Sequence, residues 1–424
     1  MHRRHLTLIA ALAIVAAACT GPESDPVSTT QVPGTAPPSS ADPPSTTSAP
    51  TTTEPPAAAP LDTGRLVVVN AEGNVVTMRP DGSDVVTVTK DASPSVIHFQ
   101  PQWSPDGARI AWGSSGGDGF SIEVASASGD TRTSVATVAL PFYLYWSPDS
   151  ERVAVLHNSL AGGLEFELMD VGTGVSSVVA GGAPFYFSWD PDGERIVSHV
   201  GADDLVLLDT AGASESIGST GQGYQAPQWT SRGIFHLDAD ALLVRDVDGA
   251  SRPLATVPGP VTFVANPDGT RLAMQALVPG QSGVTASLQT VPEVPSNVVA
   301  VLDLATGEID VAARQPSLGY FWSPDGSALL MLVPTQTRAE VEWLVWQDGT
   351  TRRLGGFTPQ ASFLRDVLQF FTQYAQSLRI WSPASDAFAF VGSIDGEGGV
   401  WVQRLDGSAP DQVAEGSWVA WSGQ

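Results

Sequence analysis

The feature that most constrains this chain is a five-residue phrase that keeps returning. Trp103-Ser104-Pro105-Asp106-Gly107 is followed 43 residues later by Trp146-Ser147-Pro148-Asp149-Ser150, and after another 43 by Trp189-Asp190-Pro191-Asp192-Gly193. Weaker copies stand at Trp229-Thr230-Ser231-Arg232-Gly233 and Asn266-Pro267-Asp268-Gly269. Trp322-Ser323-Pro324-Asp325-Gly326 is full strength, and Trp381-Ser382-Pro383 and Trp421-Ser422 complete the series. Self-similarity at a period of about 40, with room for four short strands per period, predicts an all-β fold, a β-propeller of four-stranded blades. Counting first strands gives eight blades, with seven as the fallback because the copy around Asn266 is poor.

The chemistry of one period supports this. Ser-Pro-Asp-Gly is a type I turn, in which proline presets φ at the second position and glycine suits the fourth. An apolar strand follows, such as Arg109-Ile110-Ala111-Trp112 or Arg152-Val153-Ala154-Val155. A third strand comes next, as at Phe120 to Ala125 or Glu165 to Asp170, and a short fourth strand leads back to the next tryptophan. The runs are apolar on both faces, as expected of sheets packed between two neighbours. Such stacking lets roughly 360 residues form one body, beyond the size at which single cores stop growing. On these turns and tryptophans residues 65–424 resemble the TolB-type, WD40-like Pro-Asp repeat family of propellers. That resemblance implies a fold rather than a function. A linker stands where TolB itself has an α/β domain, so no Tol–Pal role is carried over.

The two ends of the repeat region complete each other. Arg65 to Asn70, Asn74 to Arg79 and Asp84 to Thr89 read as strands two, three and four of a blade lacking its first strand. Ser417 to Ser422 reads as a first strand with nothing after it. Together they predict a ring sealed by both termini.

Ahead of the repeats, residues 1–18 read as an export signal. His2, Arg3, Arg4 and His5 make a basic start, and Leu6 to Ala18 is an uncharged apolar run. That run is shorter than the roughly 20 residues a membrane-spanning helix needs. Ala16, Ala17 and Ala18 precede Cys19, the only cysteine in the chain. The arrangement resembles a bacterial lipoprotein lipobox, with Ala16 where leucine is usual, and implies cleavage before Cys19 and acylation of its sulfur. A secreted chain using cysteine for stability would carry a set to pair. Two or three acyl chains would tether the protein stably to the outer face of the cytoplasmic membrane. From Thr20 to Pro60 there are 11 prolines and 15 serines or threonines and no aromatic residue. Such a segment cannot bury enough apolar surface to offset its ordering entropy, and its proline content favours an extended tether on the order of 100 Å long. Its hydroxyls offer O-glycan sites. The linker, with Cys19, is assigned to residues 19–64. A formal charge of −25, about −27 once Arg3 and Arg4 are removed, argues against nucleic acid and against peripheral binding to anionic lipid. Lys90 is the only lysine beside 19 arginines, the codon bias of a GC-rich bacterial genome.

Propeller geometry places every Trp-Ser-Pro-Asp-Gly turn on one face. The insertions Pro279 to Asn297, Pro334 to Val341 and Ala361 to Ser377 then fall on the other. Long loops on a rigid scaffold are a usual seat of function. The last insertion is expected to be helical, with Phe363, Val367, Phe370, Phe371 and Tyr374 at helical spacing and Ser362 as N-cap. First strands begin at the same decorated face, with aromatic residues Phe142, Tyr143, Phe185, Tyr186, Tyr224 and Tyr320. Together with Phe370, Phe371 and Tyr374 they are the candidate binding residues, either lining a mouth that stacks on a ligand or serving as core between blades.

Catalytic patterns are poor. His157, His199 and His236 come from successive units, yet equivalent positions on packed sheets lie about 10 Å apart, whereas shared ligands sit roughly 2 Å from one ion. No metal or cofactor is expected. Gly113-Ser114-Ser115-Gly116-Gly117 matches a nucleophile elbow in letters only, since it reads as a loop between two strands rather than a strand-to-helix turn. Asp246-Val247-Asp248-Gly249 is a turn before it is a calcium site, and Lys90 lies outside any Gly-rich loop. The expectation is a monomeric, membrane-tethered envelope lipoprotein whose propeller binds a protein or glycan. An enzyme acting on polysaccharide or peptide at the channel mouth is the alternative.

Overall fold

Each Trp-Ser-Pro-Asp-Gly phrase folds as a closed set of hydrogen bonds. In the 103–107 copy the Gly107 N–H donates to the Ser104 carbonyl at 3.0 Å. The Ser104 hydroxyl donates to Asp106 Oδ1 at 2.5 Å and accepts the Arg109 N–H at 3.0 Å. Asp106 Oδ1 also accepts the Ala108 N–H at 3.0 Å. The degenerate copies keep this chemistry with other atoms. Asp190 takes the Glu194 and Arg195 N–H groups at 2.8 and 3.0 Å, and Asn266 Oδ1 takes the Arg271 N–H at 2.8 Å. The fifth position is left-handed, which suits Gly107 (φ 68°) and Gly326 (φ 69°). Ser150 (φ 64°) and Ser385 (φ 61°) adopt it without that freedom. Their hydroxyls accept the Asp106 and Asp325 N–H groups of the preceding unit at 3.0 and 3.2 Å, which offsets the strain.

The tryptophan has its own task. Trp146 Nε1 donates to the Gln102 carbonyl at 3.1 Å, Trp189 to Tyr145 at 3.4 Å, Trp322 to Val264 at 3.0 Å and Trp381 to Phe321 at 3.0 Å. In each case the acceptor is the residue just before the matching position of the preceding unit. In these four units one indole fills the gap between sheets and ties its sheet to the one before it, whereas among the described residues the Trp103 and Trp421 indole N–H groups are buried without a partner.

The computed structural model describes residues 61, 64–220, 225–246, 248–278, 291–337 and 339–423. The signal, Cys19 and the linker to Pro60 lie outside the described residues, as do Tyr224 and most of the Pro279–Asn297 insertion. The architecture is a β-propeller. Among the described residues it has six four-stranded antiparallel sheets and one of seven strands. Five of the four-stranded sheets run in simple chain order, over 97–137, 141–182, 185–219, 228–256 and 261–313. The sixth is made by the two ends. Leu66–Asn70 lies antiparallel to Gly416–Trp421, with Leu66 opposite Trp421 and Val69 opposite Trp418, followed by Val75–Met78 and Val86–Thr87. The Arg65 N–H and Ser422 hydroxyl (2.9 Å) and the Ser422 N–H and Arg65 carbonyl (2.8 Å) finish the seam.

The seven-stranded sheet carries two tryptophan-led units. Gly319–Trp322, Ala328–Pro334, Val341–Gln347 and Thr350–Pro359 form the first, and Ala387–Ile394, Glu397–Arg404 and Asp411–Ala414 the second. They join where Thr358 and Pro359 pair with Ser393 and Gly392. The first strand of the second unit is reduced to one bridge, Trp381 to Phe388. Burial is two-sided: residues Ala328 to Val333 are all 0–1% exposed. At roughly 1.5–3 kcal/mol per buried large aliphatic side chain, such strands hold the stack together.

One local expectation is corrected. Gly113, Ser114, Ser115 and Gly116 are not a loop but the end of the strand Arg109–Gly116, paired with Gly119–Ser126. Glycine at 113 is required by packing, because a Cβ there would lie 2.2 Å from the Phe99 ring.

Candidate functional site

Residues 361–377 are helical, from an α-turn at Ala361–Phe363 through a π-helical stretch at Leu364–Leu368 to Gln369–Tyr374 and a final 3₁₀ turn. The N-cap is Gln360 rather than Ser362, whose hydroxyl is buried without a partner. Phe363, Val367, Phe371 and Tyr374 are buried. Their partners come from sectors far apart around the ring. Tyr374 stacks on Tyr143 with centroids 3.8 Å apart, and its hydroxyl donates to the Phe185 carbonyl at 2.5 Å. Phe371 meets Tyr320 at 4.8 Å, and Phe363 meets Trp343 at 6.3 Å. The Gln373 carbonyl accepts the Ala226 N–H at 3.2 Å. First strands surround the axis of a propeller, so an element touching those at 141–146, 185–189 and 319–322 crosses the channel. The segment is a plug.

The plug decides the fate of the candidate aromatics. Tyr143, Phe185, Tyr320, Phe371 and Tyr374 are all at most 5% exposed, packed on one another rather than facing an open mouth. Phe142, Tyr186 and Phe370 are half-buried, with Phe142 and Phe370 stacked at 6.5 Å. Burial raises the Tyr143, Tyr320 and Tyr374 phenols above their ordinary value, which keeps them neutral. Of the two uses expected for these aromatics, Tyr143, Phe185, Tyr320, Phe371 and Tyr374 take the packed one.

The histidines are separate structural groups. His98 Nδ1 accepts the Trp112 indole N–H at 3.1 Å, which leaves Nε2 to donate to Asp91 at 3.0 Å and fixes the tautomer. His157 Nε2 bonds Glu167 at 3.0 Å. His199 reaches the Ala202 carbonyl at 3.4 Å, and among the described residues both ring nitrogens of buried His236 lack a partner. Burial pushes His98, His199 and His236 below the ordinary histidine value, outweighing the pull of Asp91 on His98. Among the described residues no three His, Cys, Asp or Glu side chains gather as a metal set.

The channel opens on the opposite face, among the turns. A recess of about 360 Å³ lies there, between Pro148, Pro191 and Pro267 at its rim and Ala375 and Gln376 of the plug, with Leu378 just after it, at its floor. That volume is at the low end for small-molecule sites. Tyr145, Trp189, Trp229, Phe321 and Trp322 supply its rings. Trp229 departs from the indole pattern: it is half-buried and carries the Arg195 guanidinium 4.8 Å over its ring. Among the described residues Asp190 is the recess's one carboxylate, and its Oδ1 is already committed to two backbone N–H groups. Arg379, half-buried, lines not this recess but a separate small cavity with Gln102, Ile380 and Trp418; the sequence reasoning passed over it. A signal for it was present. Two residues before the tryptophan, other units carry Pro101, Leu144, Phe187, Pro227, Tyr320 and Val419, and this one alone carries a charge.

No family model and no curated protein matches the chain. Solved structures do. A eukaryotic initiation factor is similar with a TM-score of 0.52 at 10% identity, over 85% of this chain and 98% of that one. An oligogalacturonate lyase in complex with manganese is similar with a TM-score of 0.50 at 16% identity, over 81% and 98%. TolB from Acinetobacter baumannii gives 0.39 at 12% identity, over 83% and 79%. At these identities the likeness establishes the propeller fold alone.

Proposed function

We propose that this chain is a non-enzymatic binding propeller of a bacterial cell envelope, whose turn-face recess takes a short stretch of envelope glycan. Cys19, acylated, would tether it to the outer face of the cytoplasmic membrane, and the proline-rich linker would hold the ring clear of the lipid. The observation that carries the reading is the lining of the recess. Aromatic rings and proline faces suit the flat apolar faces of sugars. Hydrolysis or elimination needs acid and base groups converging within hydrogen-bond reach. The lone Asp190 is held by its own turn. The neighbouring lyase's chemistry is therefore not carried over.

The test uses the full chain and isolated cell-wall polysaccharide in a co-sedimentation assay. Wild type should sediment with the polysaccharide, and Trp229→Ala should weaken this about tenfold, the loss of one stacking ring. Equal sedimentation of the two proteins overturns the recess as the site. Release of new reducing ends or unsaturated sugars by the wild type would make it an enzyme instead. A purified envelope protein bound through the same recess, with no glycan retained, would replace the ligand class. The anchor is tested separately: Cys19→Ser should move the protein out of the membrane fraction with its fold unchanged, and a variant still membrane-bound refutes the anchor.

A further inference from the structure

The polar groups around the turn-face recess are of two kinds. Most are committed to the fold. The Ser188 hydroxyl donates to the Trp189 carbonyl at 3.2 Å and accepts the Trp229 N–H at 3.1 Å. The Asn266 amide donates to the Thr270 hydroxyl at 3.2 Å and accepts the Arg271 N–H at 2.8 Å. Asp190 is committed on both oxygens: beyond the two N–H groups on Oδ1, its Oδ2 lies 3.5 Å from Arg195 Nε, and the side chain is 4% exposed. The remainder is neutral. Among the described residues the Tyr145 hydroxyl, the Trp229 indole N–H and the Gln376 amide make no hydrogen bond, and all three side chains line the recess, with the exposed Ser231 hydroxyl at the rim. They differ from the orphaned polar atoms elsewhere in the ring. The Trp343 and Trp346 indole N–H groups and the Tyr143 hydroxyl are sealed away from water. Tyr145, Trp229 and Gln376 are only half-buried and their polar atoms are not sealed, so they stay open to an occupant of the recess. The three arrive from separate sectors, on the strands Pro141–Trp146 and Gln228–Thr230 and on the last turn of the plug, Ala375–Ser377.

An ionised ligand group entering this recess would give up hydration that the lining does not replace. Among the described residues no lysine or arginine lines it, and its one carboxylate is already paired. A sugar hydroxyl is different, because it both donates and accepts. The amide offers a donor beside an acceptor, the phenol offers one of each, and the indole adds a donor. We propose that the recess selects an uncharged sugar, with the Gln376 amide and the Tyr145 hydroxyl bonding its hydroxyls and the Trp229 ring against its apolar face. The inference deepens the glycan reading and rests on it. It also gives the plug a second task, since the segment that packs beneath the decorated face carries one of the groups that read the ligand on the other.

The experiment divides isolated cell-wall polysaccharide by anion exchange into an uncharged and an acidic fraction. Part of the uncharged fraction is then oxidised at its primary hydroxyls to carboxylates. All three are immobilised at equal sugar content, and dissociation constants are measured for the full chain at fixed ionic strength. Wild type should bind the uncharged fraction at least tenfold more tightly than its oxidised derivative. Gln376→Leu and Tyr145→Phe should each weaken binding to the uncharged fraction about tenfold, the loss of one hydrogen bond made on binding. Both variants should melt with the wild type, since neither removes a bond within the protein; a purely structural role would lower the melt and leave binding unchanged. Equal binding of the native and oxidised fractions, or undiminished binding in either variant, overturns the inference. Tighter binding of the acidic fraction than of the uncharged one, lost in Trp229→Ala, overturns the uncharged class while leaving the recess as a glycan site. Binding of none of the three by the wild type sinks the glycan reading itself, and this inference with it.

Discussion

If residues 361–377 plug the ring, Tyr374 is the side chain whose loss should be felt most. It is buried, stacked on Tyr143 at 3.8 Å, and in ring contact with Phe187 at 5.6 Å and Tyr186 at 6.1 Å. Its hydroxyl holds the Phe185 carbonyl at 2.5 Å. Truncating a buried aromatic to alanine costs about 3–5 kcal/mol, of which the ring pair accounts for about 0.5–1.5 kcal/mol. Removing the hydroxyl alone, in Tyr374→Phe, should cost about 1 kcal/mol. Tyr374 sits on an insertion rather than in a sheet, so the loss should appear first as local opening. Hydrogen exchange of 361–377 in Tyr374→Ala should then speed up on the order of a hundred- to several-thousand-fold. The strands Leu66–Asn70 and Gly416–Trp421 should keep their protection. Phe142 and Tyr143 should become reachable by apolar dyes. An alanine variant whose segment 361–377 exchanges at the wild-type rate would refute the plug, and one that loses protection everywhere at once would show that the ring depends on it.

Two further outcomes follow from the turns and the histidines. Ser150→Ala leaves the Asp106 N–H without its partner while retaining the strain of φ 64°, so it should lose about 1–3 kcal/mol in urea melts. Ser150→Gly loses the bond but relieves the strain, and should sit closer to wild type; the reverse order would sink this account. The pH dependence should show two steps. His98, His199 and His236 titrate below their unfolded value of 6.5, so the unfolded chain binds protons first and stability starts to fall below that pH. For Asp106, Asp268 and Asp325, burial raises the value, but hydroxyl and backbone N–H bonds outweigh it and leave them below 3.8. Their contribution is complete above 3.8 and is lost as the pH falls below it, through the folded value, which steepens the acid limb. A melting temperature flat from pH 7 down to 4 would rule out the buried neutral histidines.

The fold was legible in the sequence because its determinants are local and repeated. A five-residue turn whose bonds close within itself is visible as letters, and Trp146 and Trp189 mark the same gap in successive sheets. The seam at Leu66 and Trp421 was readable because a missing first strand and an unused one are complementary. The site was less legible. The letters Phe363, Phe371 and Tyr374 gave a helix, but which way it lies depends on Tyr143, Phe185 and Tyr320, which are remote in sequence. Aromatic residues at a mouth and aromatic residues beneath a plug have the same composition. Only the three-dimensional crossing of the axis separates the two.

That crossing also explains how a charge came to stand at position 379. In other units the matching residues, Leu144, Phe187, Tyr320 and Val419, are buried between sheets, where an unpaired guanidinium would be prohibitive. The plug takes up the chain that would otherwise form the first strand of the unit led by Trp381, and only Trp381 keeps a bridge to Phe388. Residues 378–380 form no strand, although the Arg379 and Ile380 carbonyls still accept the Trp421 and Ala389 N–H groups at 2.9 and 2.8 Å. Trp381 still donates its indole N–H to the Phe321 carbonyl at 3.0 Å, so the tie between units survives while the stretch before it does not. An arginine is tolerated there because the same insertion that shuts one end of the channel frees its tail to line the other. Closing the decorated mouth and leaving a half-buried arginine at position 379 are two consequences of one insertion. Shortening it to restore a regular first strand should therefore reopen the first and abolish the second together.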